Sequence, residues 1–142
     1  MGTDCLGHVE LLSWGSEPGD PDELWLTALV LDPMLVDRNY RLFCRLFGVR
    51  CADVGRQADQ RVPLMPIAPR RGLPANAAAD TLHRLRNSED QSWTTPSEVA
   101  QAFQGLELDE TEWGWQYVRD SVRLFAEKLG PQRVRLVVGF SS

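Results

Sequence analysis

The block from Asp37 to Arg50 constrains the fold most, because a start signal, a periodic face and a stop signal fall within one short stretch. An aspartate can accept the unpaired amide hydrogens of a first helical turn, and a glycine can end a helix in the left-handed conformation. Asp37 and Gly48 stand where those roles are needed. Between them Leu42, Phe43, Leu46 and Phe47 recur at i, i+1, i+4 and i+5, whereas Arg38, Arg41 and Arg45 fall on another face. The spacing predicts a core helix with an arginine edge.

Such a helix needs a surface to cover, and the flanking sequence supplies strands. Cys5 to Trp14 and Leu24 to Asp32 are rich in Val, Leu and Trp and are separated by the acidic, turn-forming Gly15 to Asp22. They predict a hairpin. The second run is nearly continuous in apolar residues, the pattern of a central strand covered on both faces. Asn76 is a candidate cap for a short helix through Arg86 that leaves His83 outward. Thr95-Pro96-Ser97-Glu98 reads as a capping box with proline at the first helical position, opening a helix to about Gln104.

Ser92-Trp93-Thr94 just before it reads as extended chain or a short strand. Asp109 or Thr111 opens the longest helix, in which Trp115, Val118, Val122, Phe125 and Leu129 recur at helical spacing until Gly130-Pro131 stops it. Arg133 to Phe140 alternates as a strand that joins the N-terminal pair. The expectation is one α+β domain over 1–142, a small antiparallel or mixed sheet made of the N-terminal hairpin and the C-terminal strand and packed by three to four helices.

Composition enters at the question of partners. The net charge is −5, but it is unevenly spread: residues 1–37 hold eight acids and no Lys or Arg, while residues 38–86 hold ten Arg and three Asp. Such asymmetry marks an anion-binding part, or else acidic and basic blocks that face each other in the fold. The longest apolar tract, Leu24 to Val36, is broken by Thr27, Asp32 and Pro33, so no membrane span is expected. The N-terminus lacks a basic and apolar leader, which argues for a cytoplasmic protein. Cys5, Cys44 and Cys51 are odd in number and lack C-x-x-C spacing, so reduced, buried thiols are expected. No pair of His and Cys has zinc-ligand spacing, and no metal site is expected.

There is no P-loop, dinucleotide fingerprint, H-E-x-x-H or G-x-S-x-G. The remaining chemical candidates are Asp4, His8 and Glu10. On a strand His8 and Glu10 share a face, where they could bind a metal or exchange a proton, or form an exposed pair on a solvated surface. The long, proline-rich stretch from Cys51 to Pro74 carries Arg70 and Arg71 beside Gly72, either a cradle for a carboxylate or phosphate or a turn whose arginines bond carbonyls and acids within the chain.

Several blocks together resemble a family of small uncharacterised proteins found in bacteriophages and actinobacteria, with a Met-Gly-Cys-Asp-Ile-His-like start. They are Met1 to Leu6 with Val9-Glu10, Asp37 to Phe43, Pro66-Ile67 with Arg71 to Pro74, Ser92-Trp93-Thr94 with Glu98, and Val134 to Phe140. The resemblance implies a polar site built from Asp4, Glu10, Arg38, Asn39 and Arg71. The chain departs from that pattern at Leu6 and Gln91, where such proteins carry His, and at Ser141-Ser142, where they end in Asp-Asn. Those departures favour binding over catalysis.

Two functions follow. The first is a non-enzymatic accessory, immunity or inhibitor protein that binds a protein partner through its acidic loop and exposed tryptophans such as Trp14, Trp113 or Trp115. The second is a small hydrolase or nucleotide-binding enzyme with Asp4, His8 and Glu10 at its centre and an anionic small molecule held by Arg38, Asn39, Arg70 and Arg71. Nucleic acid is disfavoured by the net charge and the lack of a basic, aromatic-interleaved helix. The sequence names no cofactor.

Overall fold

The computed structural model describes residues 2–35, 38–54 and 65–142. Four antiparallel strands form one sheet in the order β2-β1-β4-β3. They are β1 (Asp4–Leu12), β2 (Trp25–Val30), β3 (Glu89–Thr94) and β4 (Val134–Ser141). The helices are α1 (Tyr40–Phe47), α2 (Cys51–Val54), α3 (Ala79–Leu85), α4 (Pro96–Phe103) and α5 (Trp113–Leu129). The α+β expectation therefore holds, with a wholly antiparallel sheet.

The strands β1 and β4 pair from Asp4↔Ser141 to Leu11↔Val134, and that register decides which side chains share a face. One face carries Cys5 and Val9 from β1 with Leu136, Val138 and Phe140 from β4, and on it lies the core built with α1, α4 and α5. Phe43 sits at its centre, with ring centroids 5.1 Å from Phe140 and 5.9 Å from Trp115. The helix ends are written locally. Asn39 caps α1 by accepting the Leu42 N–H at 3.1 Å, and Gly48 closes the helix at φ 69°. Thr95 and Glu98 form the expected capping box of α4.

Gly114, in the first turn of α5, allows the helix backbone to touch the turn after β2, since a Cβ there would overlap the Met34 carbonyl oxygen.

Five local expectations are corrected. The continuous apolar run of β2 suggested a central strand, but β2 is at the sheet edge, with Leu26 50% and Val30 39% exposed. The interior strands are β1 and β4, and β4 is buried throughout from Val134 to Phe140. Cys44 and Cys51 are joined in a disulfide rather than reduced, because the chain reverses between α1 and α2, through Gly48 and Arg50 at positive φ, and brings their Cα atoms to 4.8 Å. Asp37 lies outside the described residues, and the cap of α1 is Asn39. Asn76 caps nothing: α3 begins at Ala79 and lacks a side-chain cap.

The arginine edge of α1 is not continuous either. Arg45 is buried and donates to the Gln101 carbonyl at 2.7 Å, so burial lowers its pKa. Of the proline-rich stretch from Cys51 to Pro74, residues 55–64 lie outside the described part.

Candidate functional site

The second face of the sheet is also buried, but it is polar. Alternation along β1 turns His8 and Glu10 away from the hydrophobic core, and each is fully buried. Arg135 stands opposite Glu10 in the β1–β4 register, with Nε 2.8 Å from Glu10 Oε1. The second carboxylate oxygen accepts the Ala78 backbone N–H at 2.8 Å. The Arg135 guanidinium also donates to Asn76 Oδ1 at 3.1 Å, and it lies 3.9 Å from the centre of the Trp25 ring with Trp93 beyond, at 6.0 Å. Both oxygens of Glu10 are thus occupied within the chain.

His8 is held one step along the same face. Its Nδ1 is 2.8 Å from Thr81 Oγ1 and 3.4 Å from Thr27 Oγ1, whereas its buried Nε2 has no partner among the described residues. Burial, then the charge of Arg84, lowers the pKa of His8, outweighing the opposite pull of Glu10 and Asp80. The ring is neutral at pH 7.

The covering layer is residues 76–84, fastened to the sheet by polar contacts: Asn76 and Ala78 on the Arg135–Glu10 pair, Thr81 on His8, and Arg84 on Asp32. At its edge Asn76 Nδ2 also donates to Glu23 Oε1 at 3.2 Å. Glu23 further accepts from the Gly19 N–H and Trp25 Nε1, and these bonds, the Gly19 one foremost, lower its pKa. An open cleft of about 780 Å³ lies here between Pro18, Glu23, Trp25, Asn76, Trp93 and Arg135.

The other residues singled out in the sequence do not converge on this face. Asp4 is exposed at the start of β1, paired with Arg38 at 2.7 Å. Asn39 is spent as the α1 cap and donates to Glu112 Oε1 at 2.9 Å. Arg70 and Arg71, adjacent in sequence, diverge. Arg70 reaches Asp90 at 2.7 Å and the Gly48 carbonyl at 3.1 Å, while Arg71 grips both oxygens of Glu98 at 2.7 and 2.9 Å and stacks 4.5 Å over Trp93. Desolvation raises the Glu98 pKa, but the bonds from Arg71 and Thr95 lower it further, so the net shift is downward. Leu6, Ser141 and Ser142 line one small cleft of about 260 Å³ with Arg84, Asn87 and Ser88. Among the described residues no group of His, Cys, Asp and Glu is arranged to hold a metal ion.

Arg135, Trp25, Trp93, Asn76 and Thr81 were not among the sequence's candidates for a site; Asn76 was read only as a helix cap and Trp93 only as part of an extended segment. One signal was present: Arg135 is the single charge of β4, and Glu10 is the single acid in the stretch from Cys5 to Leu12, which is otherwise apolar but for His8; such opposite charges have to meet if both strands are buried. No protein-family model, curated protein or solved structure matches this chain.

Apolar surface collects elsewhere. Trp14 is 81% exposed just after β1, and Leu24 and Leu26 are each at least half exposed along the edge strand. A groove of about 310 Å³ runs beside them, lined by Leu11, Leu12, Trp14, Leu26, Ala28 and Leu129. The acidic Gly15 to Glu23 loop adjoins it. Trp113 is also exposed, whereas Trp115 is buried against Phe43. Among the described residues no helix is long and apolar enough to cross a membrane.

Proposed function

We propose that this chain is a non-enzymatic binding protein of the accessory, immunity or inhibitor kind, and that it docks a protein partner around the β2 edge. The observation that carries the reading is the exposed apolar surface of Trp14, Leu24 and Leu26 beside an open groove. Large aromatic and aliphatic side chains beside a groove supply the anchors of protein interfaces, and contiguous exposed apolar surface marks such sites. The groups that would serve an enzyme are dispersed instead: Glu10 is saturated by Arg135 and Ala78, Arg71 by Glu98, and Arg38 by Asp4 at the other end of β1.

Two measurements test this. Thermal unfolding against a panel of divalent metals, nucleotides and phosphorylated small molecules is expected to show no upward shift, because a ligand that binds only the folded state has to raise the midpoint. The immobilised protein is expected to retain a specific partner that a Trp14→Ala, Leu26→Asp variant loses with its own melting temperature unchanged. A nucleotide- or metal-dependent shift that vanishes in Glu10→Gln or Arg71→Ala would replace this reading with an enzymatic one.

A further inference from the structure

The occupant of the β2 edge can be specified further, and this step rests on the docking reading above. Natural proteins guard sheet edges with charged residues, prolines or short strands, because an open edge presents unpaired N–H and C=O groups to any extended chain. The six residues of β2, Trp25-Leu26-Thr27-Ala28-Leu29-Val30, contain neither a charge nor a proline. No described strand pairs with the outer side of β2. Among the described residues, a single register irregularity opposite Val9 and Glu10 is the one such guard.

The chemistry around the edge narrows what fits. On the α5 side of β2, the 310 Å³ groove between Trp14, Leu26, Ala28 and Leu129 has room for an apolar side chain. At the end where β2 begins, Glu17, Asp20 and Asp22 are exposed on the adjoining loop. Arg133, 3.4 Å from Glu17, is the one base paired with that loop among the described residues. A second copy of this chain pairing through its own β2 would bring a strand with no basic residue to that acidic rim. A segment that alternates apolar residues and carries Lys or Arg at the end facing the loop satisfies the backbone, the groove and the rim together.

We propose that the β2 edge binds an extended, basic-flanked segment of a partner polypeptide by strand addition, with one apolar side chain seated against Trp14 and Leu26. The backbone bonds of the added strand supply affinity, the groove supplies register, and the Glu17, Asp20 and Asp22 carboxylates supply orientation and charge selection.

The test is selection of twelve-residue random peptides, displayed on a carrier, against the immobilised full chain. The expected winners alternate apolar residues, are enriched in Lys and Arg over Asp and Glu, and bind more weakly as salt is raised. Binding of a synthesised winner is expected to fall at least tenfold in Leu26→Lys and in Ala28→Lys, both at exposed positions, with the melting temperature unchanged. In Asp20→Asn, Asp22→Asn a smaller loss with a flatter salt dependence is expected.

Winners that bind equally well to Leu26→Lys and Ala28→Lys, or that show no basic enrichment, would overturn the proposal. So would sedimentation that shows a wild-type dimer converted to monomer by those substitutions, since the occupant would then be a second copy. If the peptides fail while Trp14→Ala, Leu26→Asp still abolishes retention of a folded partner, the docking reading stands and only strand addition falls. If neither depends on these residues, both fall.

Discussion

On the α5 side of the sheet Val9, Leu136 and Phe140 pack against Phe43, Phe47 and Trp115, whereas on the α3 side His8, Glu10 and Arg135 lie equally deep and are held by hydrogen bonds. The first face gains stability in proportion to apolar area, about 25 cal/mol per Å² removed from water. The second gains little net energy, because the attraction of a buried ion pair is largely offset by the cost of stripping water from both charges. What the polar face provides is a unique fit. The residue 76–84 layer sits where Asn76 meets Arg135, Ala78 meets Glu10 and Thr81 meets His8, and any other placement would leave those buried groups without these partners.

If that contrast is right, substitutions on the two faces fail differently. Phe43→Ala opens a cavity among Phe140, Trp115 and Tyr40 and is expected to cost about 4 kcal/mol, read from urea unfolding. Glu10→Ala leaves the Arg135 guanidinium buried without its carboxylate, and a loss of about 3 kcal/mol is expected. The double variant Glu10→Leu, Arg135→Met separates the two kinds of burial. It is expected to recover part of that loss, because an apolar pair of similar volume avoids the desolvation cost, while the Ala78 N–H left without its Glu10 acceptor keeps it about 1 kcal/mol or more below wild type. A double variant as unstable as Glu10→Ala would show the ion pair to be energetically irreplaceable, and the contrast between the faces would fail.

The finest test is pH. The folded-state pKa of His8 lies below its ordinary value of 6.5, so the unfolded chain takes up a proton first as pH falls. Stability is therefore complete above pH 6.5, declines as pH drops through that value, and levels off below the folded-state pKa. Urea midpoints between pH 8 and 5 are expected to decline in wild type and to stay flatter in His8→Gln. The lowered carboxylates of Glu23 and Glu98 act in a separate window, contributing stability that is lost only below their usual 4.5.

Much of the frame was legible in the chain itself, because its signals are local. The Thr95–Glu98 capping box, the 3.6-residue periodicity from Trp115 to Leu129 and the glycine stop at Gly48 each rest on a few neighbouring residues, and all three stand in the structure. Signals that depend on distant partners were harder to read. Leu24 to Leu31 looks like a central strand because its inner face meets Leu11 and Val9 while its outer positions are apolar too, and nothing local distinguishes apolar side chains that are covered from those left open. His8 and Glu10 were correctly placed on one face, but whether that face is wet or dry depends on residues 76–81, nearly seventy positions away. The Cys44–Cys51 link depends on a chain reversal at Arg50, a non-glycine residue at φ 62°, which spacing rules do not anticipate.

The glycine at position 114 has a mechanical consequence. Because no side chain stands between the first turn of α5 and the Met34 carbonyl, backbone rests directly on backbone, and the turn that leaves β2 is braced by the helix. Packed protein interiors are stiff, and here no rotamer is available to absorb a displacement. The turn that follows the open edge strand is therefore in backbone contact with the start of α5, and Glu112, just before that start, accepts from Asn39 at the cap of α1, so the open edge and the hydrophobic core share one short chain of direct contacts.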